Sequence, residues 1–153
     1  MPQSPITSSI NSMADVWEAY RDELEGMERQ ARTNLDSSVA LVNTVAAHIL
    51  NSGGKRIRPF LLLLSARLCG YTGRDHHQLA SLVEFIHTAS LLHDDVVDEA
   101  DIRRGRQTAR KVWGNQISIL VGDYLYSKAF TQVVDFHNHG INEVLGEACK
   151  KMA

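Results

Sequence analysis

Between Phe85 and Gly105 the chain reads FIHTASLLHDDVVDEADIRRG, an apolar helical pattern that ends in five acids, Asp94, Asp95, Asp98, Glu99 and Asp101, followed by Arg103 and Arg104. Helical spacing puts His87, Ser90, Asp94 and Asp98 on one face, because successive members are three or four residues apart. The acids fall at the carboxyl end of that helix, where the macrodipole is already negative, and Asp94 and Asp98 are like charges one turn apart. Both effects disfavour them unless a positive partner is supplied. A hard divalent cation fits: Mg²⁺ takes one or two carboxylates and completes its shell with water and phosphate oxygens. Upstream stands the opposite anomaly, GGKRIRP at 53–59. Pro59 suits the first turn of the helix it opens, yet Lys55, Arg56 and Arg58 crowd an amino end that the dipole makes positive. An anion would relieve that crowding. Each misplacement costs about 0.3–1 kcal/mol at an exposed terminus. The ligand that serves both ends at once is a phosphate ester carried with Mg²⁺.

The elements that must position these groups are helical. Apolar residues recur at helical spacing along almost the whole chain and strand-like alternation does not persist, which predicts an all-α fold. Ser12 with Asp15 forms a capping-box pattern for a helix over 13–34 whose stripe is Val16, Tyr20, Leu24 and Met27. A second helix covers 38–52 and stops at Gly53-Gly54. A third runs from Pro59 to Gly70, and a fourth over 76–99 follows the turn at 71–75. A polar connection, 100–115, carries the arginines. A fifth helix covers 116–136. A sixth starts near Ile141, with Ile141, Val144, Leu145 and Ala148 in register to the last residue and no cap. The sixth helix is thus expected to be cut short.

The chain has 153 residues, 44% of them hydrophobic, enough for one compact domain with a core. A net charge of −2 creates no field that would attract nucleic acid or an anionic membrane, so any anion binding must be local. The two cysteines, Cys69 and Cys149, lack metal-ligand spacing and fit a reducing compartment. The opening MPQSPITSSINS has no charged residue and no apolar core, which argues against a secretory signal and predicts a disordered tail over 1–12. The greasy run from Phe60 to Cys69 is interrupted by Arg67 and too short to span a bilayer, so the expectation is a cytoplasmic protein without an integral membrane segment.

With GGKRIRP, EFIHTASLLHDDVVDEADIRRGRQT, WGN at 113–115 and VGDYL at 121–125 in this order, the chain resembles the trans-isoprenyl diphosphate synthases, the polyprenyl synthetase family, of medium- to long-chain, octaprenyl-like type. The likeness runs from about residue 12 onward and corresponds to the amino-terminal half of such an enzyme, so residues 13–153 are expected to form the amino-terminal part of its helical domain. The resemblance implies an isoprenoid synthase-type bundle around a central cavity, with homodimer formation through the central helices. It implies a prenyltransferase of isoprenoid biosynthesis: Mg²⁺-dependent head-to-tail (1′-4) condensation of isopentenyl diphosphate with an allylic diphosphate, geranyl or farnesyl. The allylic diphosphate ionises to a carbocation, the homoallylic alkene attacks its C1, and a proton is lost to pyrophosphate, so stabilising the leaving group is the main task.

Carried over position by position, Asp94 and Asp98 bind the metal with Asp95 in support, and Arg103 contacts the allylic diphosphate. Lys55, Arg58, His87 and Arg104 hold isopentenyl diphosphate, and Gly54 shapes the loop. Ala89 and Ser90, small residues one turn before Asp94, let a growing tail pass, which implies a product of roughly C30 to C50. Gln107 departs from the family's usual proline, a matter for that turn alone. The resemblance also places a second Asp-rich motif and further lysines beyond Ala153, so the chain is expected to be a truncated synthase that turns over poorly by itself. Two other readings stand beside it: a metal phosphohydrolase of His-Asp type using His93 and Asp94 with His48 and a later aspartate, and a non-catalytic partner subunit of a heteromeric synthase.

Overall fold

A computed structural model describes residues 11–152, and among these eight helices and one minimal hairpin account for the architecture. The expected tail lies outside the described residues as far as position 10. Its last two positions form the cap of α1 (Met13–Ala19): Ser12 Oγ accepts from the Asp15 amide at 3.3 Å and Asp15 Oδ2 accepts from the Ser12 amide at 2.9 Å. The helix expected over 13–34 is interrupted. Tyr20, with φ −105° and ψ 9°, ends α1 and precedes α2 (Arg21–Leu35). The apolar stripe survives the break, because Tyr20 and Leu24 pack against the core and Met27 is fully inside it.

The remaining elements are α3 (Ala40–Leu50), α4 (Ile57–Leu68), α5 (Asp75–Val97), β1 (Ile102–Arg103), β2 (Arg106–Gln107), α6 (Ala109–Trp113), α7 (Asn115–Val134) and α8 (His139–Met152). Helix α4 begins at Ile57 rather than Pro59, which leaves the proline in the first turn, where its missing N–H deprives no helical acceptor. The polar connection holds more structure than expected. Ile102 pairs with Gln107 and Arg103 with Arg106, joined by Arg104 and Gly105 at φ 52° and 77°. Two left-handed central residues make the turn whose twist suits a hairpin. This turn forms with Gln107 in place.

Helix α5 is the axis of the molecule. Ala80, Leu82, Phe85, Ile86, Ala89 and Leu92 are buried on several sides, and α2, α4 and α7 pack around it. Phe85 alone, fully inside, would lose about 3–5 kcal/mol on truncation to alanine. Gly122 sets how close α7 comes, since a Cβ there would collide with the His93 imidazole of α5, and Ser118 Oγ donates to the Leu92 carbonyl at 2.9 Å. In α8 the inward stripe is Ile141, Leu145 and Cys149, while Val144 is 68% exposed and Ala148 is exposed as well. Ile141 and Leu145 of the expected stripe thus face the core, whereas Val144 and Ala148 do not, and Cys149, four on from Leu145, takes the last inward place.

Candidate active site

The last turn of α5 separates the acids into two roles. Asp94 and Asp98 are exposed one turn apart, and their carboxylates have no hydrogen-bond or ion-pair partner among the described residues. Asp95 points inward, 2% exposed, and accepts from Arg103 Nε at 2.7 Å. Asp101 accepts from Arg110 Nη1 at 3.1 Å and from Lys111 Nζ at 2.8 Å, pairings that hold its carboxyl below the usual range, the lysine hydrogen bond contributing most. Asp95 and Asp101 are therefore neutralised from within the chain, whereas Asp94 and Asp98, the pair at helical spacing on α5, are left bare among the described residues, as is Glu99 beyond the helix end. Two exposed hard oxygen donors at the negative end of a helix fit Mg²⁺.

After α5 the backbone reverses through Glu99, at φ 51°, and enters the hairpin. Thr108 closes the hairpin's base: its hydroxyl donates to the Ala100 carbonyl at 2.6 Å and accepts from the Lys111 amide at 3.3 Å. The two arginines on this hairpin face different clusters. Arg103 is held by Asp95, which occupies Nε and leaves both Nη groups for another ligand. Arg104 reaches across to the loop before α4 and donates through Nη1 to the Gly53 carbonyl. Gly54 leaves room for that crossing, because a Cβ on it would come 2.5 Å from Arg104 Nη1 and push the guanidinium aside.

On the far side of the crossing lies an open cavity of about 500 Å³ lined by Gly54, Lys55, Arg56, Ile57, Arg58, Glu84, His87 and Arg104. All four basic residues expected to hold one diphosphate, together with the glycine, line this one hollow. Arg58 Nη1 stands 3.2 Å from His87 Nε2. A guanidinium can only donate, so His87 Nε2 accepts and its proton sits on Nδ1. Burial, and then Arg58, push the His87 pKa down, with smaller contributions from Arg104 and Arg103 against the raising effect of Glu84. His87 is thus the neutral member of a cationic hollow.

Arg56 takes no part in it as a free charge. With φ 46° it caps the start of α4 and turns inward, donating to Glu84 Oε1 of α5 and to the Leu50 carbonyl at the end of α3, both at 2.6 Å. Sequence reasoning sees three equivalent cations in GGKRIRP; the structure assigns one of them to packing. The sequence reading also missed Thr108, Ser118 and Gly122 as positioning residues. Of these only Gly122 carried a signal, a glycine inside a helical pattern. Ala89 is fully buried in the core, and Ser90 is half-buried with its hydroxyl on the His87 carbonyl at 2.8 Å.

The His-Asp phosphohydrolase arrangement is absent. His48 Nε2 is 2.8 Å from the Gln107 carbonyl with its ring against Trp113, whereas His93 Nε2 lies 3.3 Å from both the Ile119 carbonyl and Asp123 Oδ1. Neither belongs to a metal-ligating cluster among the described residues. No described helix is long and apolar enough to cross a membrane.

Comparison with known proteins agrees with this geometry. A family model described as polyprenyl synthetase matches residues 39–153. Octaprenyl diphosphate synthase of Escherichia coli (strain K12) is 44% identical over 136 residues, which cover 89% of this chain and 42% of the relative. A solved decaprenyl diphosphate synthase from Rhodobacter capsulatus superposes with a TM-score of 0.86 at 44% identity, covering 90% of this chain and 42% of that one. A polyprenyl synthase from Caulobacter crescentus, solved with calcium and isoprenyl diphosphate, gives a TM-score of 0.87 at 37% identity over 94% of this chain and 44% of that one. The chain spans less than half the length of these relatives.

Proposed function

Since the chain belongs to the polyprenyl synthetase family and has its all-α isoprenoid synthase fold, we propose that it serves Mg²⁺-dependent head-to-tail (1′-4) condensation of isopentenyl diphosphate with geranyl or farnesyl diphosphate. The product is a trans-polyprenyl diphosphate of about C30 to C50, by analogy with relatives named for octaprenyl and decaprenyl products and with the small residues Ala89 and Ser90 before Asp94. The cytoplasm is its proposed location and a homodimer its proposed assembly.

One observation carries the reading: adjacent arginines on one hairpin reach the two clusters, Arg103 the acidic turn through Asp95 and Arg104 the basic loop through Gly53. The two diphosphates that must react head to tail are thereby given neighbouring berths. Asp94 and Asp98 would hold Mg²⁺, which supplies charge neutralisation for a departing pyrophosphate. Arg103, oriented by Asp95, offers its free Nη groups to the allylic diphosphate. Lys55, Arg58 and Arg104 neutralise the second diphosphate, and His87, neutral when the hollow is empty, can take up a proton once that anion arrives. Gly54 keeps the loop low enough for Arg104 to cross it. No side chain acts as a nucleophile.

The 136 matched residues cover 42% of the bacterial relative, so low turnover of this chain alone is part of the proposal and ligand selection is the more direct readout. Calorimetric titration should show isopentenyl diphosphate and a non-ionising farnesyl thiodiphosphate binding more tightly than ATP or inorganic phosphate. Tighter binding of nucleotides, with orthophosphate release and no prenyl transfer, would reject the proposal. Prenyl transfer at a rate typical of a whole synthase would reject only its clause on low turnover.

A further inference from the structure

Glu23 of α2 and the consecutive His76 and His77 at the head of α5 are brought together at a place remote from the diphosphate site. Asp94 lies eighteen residues further along the same helix, about 27 Å at 1.5 Å per residue. Both imidazoles direct Nε2 at one oxygen, Glu23 Oε2, from 3.0 Å for His76 and 2.6 Å for His77. The other carboxylate oxygen faces Arg67 Nη2 at 3.8 Å. The two rings are 4.3 Å apart between centroids, and the three donor atoms all lie within 4.8 Å of one another.

The surroundings make room for this convergence. Gly26, three residues after Glu23 on α2, faces the His77 ring, and a Cβ there would come 2.8 Å from Cε1. Helix α2 therefore provides both a carboxylate and the notch that admits the second imidazole. In a tetrahedral shell with bonds of about 2.0–2.1 Å, neighbouring donors are roughly 3.3 Å apart. The oxygen–nitrogen distances of 3.0 and 2.6 Å must open by roughly 0.3 and 0.7 Å to reach that spacing, shifts that side-chain rotation supplies. Two imidazole nitrogens with one carboxylate suit a borderline cation of the zinc class rather than Mg²⁺, which prefers oxygen alone.

We propose that Glu23, His76 and His77 form a second, zinc-class metal site that clamps α2 to the head of α5. The fourth position is left to water. Affinity is expected in the micromolar rather than the nanomolar range. His76 Nδ1 is buried and has no hydrogen-bond partner, so ligation through Nε2 moves the ring proton to a nitrogen with no acceptor. Absence of such an outer partner lowers metal affinity by roughly 10–100-fold.

The test is titration of the whole chain with Zn²⁺ against a chromophoric chelator, in excess Mg²⁺ so that the exposed aspartates are already satisfied. One zinc per chain is expected, retained in an Asp94→Asn/Asp98→Asn variant. His77→Gln should lose more affinity than the roughly 10–100-fold attached to an outer-shell partner. Gly26→Ala keeps all three ligands yet displaces the His77 ring, and should also weaken binding, which guards against a folding defect in the histidine variant. Zinc should raise the Tm of the unmodified chain and leave that of His77→Gln unchanged. Failure to bind zinc at micromolar concentration, or equal binding by a His76→Gln/His77→Gln variant, would overturn the proposal and leave the trio as a hydrogen-bonded junction.

Discussion

Replacing Arg56 by alanine separates packing from binding within GGKRIRP. Arg56 is 22% exposed and Glu84 10%, and their contact is 2.6 Å. Breaking a buried pair from one side is worth roughly 3–5 kcal/mol, because the remaining charge stays in low dielectric. The partial exposure of Arg56 lets water reach Glu84 once the guanidinium is gone, which lowers the expectation to about 2–4 kcal/mol. The donor on the Leu50 carbonyl, which satisfies the end of α3, disappears at the same time. Alanine also keeps the strained φ of 46°, so no backbone relief compensates. At about 2–4 °C per kcal/mol for a chain of this size, Tm should fall by roughly 5–15 °C. Thermal and urea unfolding followed by circular dichroism measure it. Glu84→Gln on the same background should recover part of the loss, with a coupling of about 0.5–3 kcal/mol in the double-mutant cycle. Lys55→Ala and Arg58→Ala, at exposed positions, should stay within about 0.5 kcal/mol of the parent. A loss below about 0.5 kcal/mol for Arg56→Ala, or additive effects with Glu84→Gln, would refute the assignment of Arg56 to packing.

His87 and Arg104 yield two more expectations. Because the folded His87 pKa is depressed, the unfolded chain binds more protons around it, so its contribution to stability is present at higher pH and is lost as pH falls below the imidazole's ordinary pKa. A bound diphosphate should raise that pKa. Titrations in buffers of different ionisation enthalpy should therefore show proton uptake on binding isopentenyl diphosphate, abolished in His87→Gln; no uptake would mean His87 does not face the anion. Arg104→Gly relieves a left-handed backbone worth about 1–2 kcal/mol while removing a hydrogen bond from a charged donor worth about 1.5–3 kcal/mol at most. The two nearly cancel. Tm should move by only a few degrees, at about 2–4 °C per kcal/mol, while diphosphate affinity falls about tenfold or more, and unchanged affinity would remove Arg104 from the site.

Much of this was legible from local pattern. The helical period located α3, α5 and α7 to within a few residues, since a buried face repeats whatever it packs against. Asp94 and Asp98 were legible because an unneutralised pair at the wrong end of a helix is a local anomaly. Arg56 was not. Its partner Glu84 lies 28 residues away in α5, and sequence spacing carries no sign of an inward turn. The hairpin escaped because strands of two residues have no period to detect, and the break at Tyr20 because a one-residue change of dihedral leaves the apolar stripe intact. Glu23, His76 and His77 meet only when α2 packs on α5, and a pair of adjacent histidines without that contact looks like any polar helix start. Ser118 reads as an ordinary hydroxyl in a helix until the Leu92 carbonyl is placed beneath it.

Mg²⁺-dependent binding of farnesyl thiodiphosphate, measured calorimetrically for the parent chain and for Asp94→Asn/Asp98→Asn, bears most directly on whether these carboxylates hold a metal for a diphosphate. Both carboxylates are exposed and unpaired like charges at the negative end of α5, so the variant should fold with a Tm equal to the metal-free parent's or a few degrees above it. Ligand affinity of the parent should rise with added Mg²⁺ and fall on chelation with EDTA, while the variant should bind weakly and without response to Mg²⁺. An equal Mg²⁺ response in parent and variant would contradict the assignment of the metal to Asp94 and Asp98.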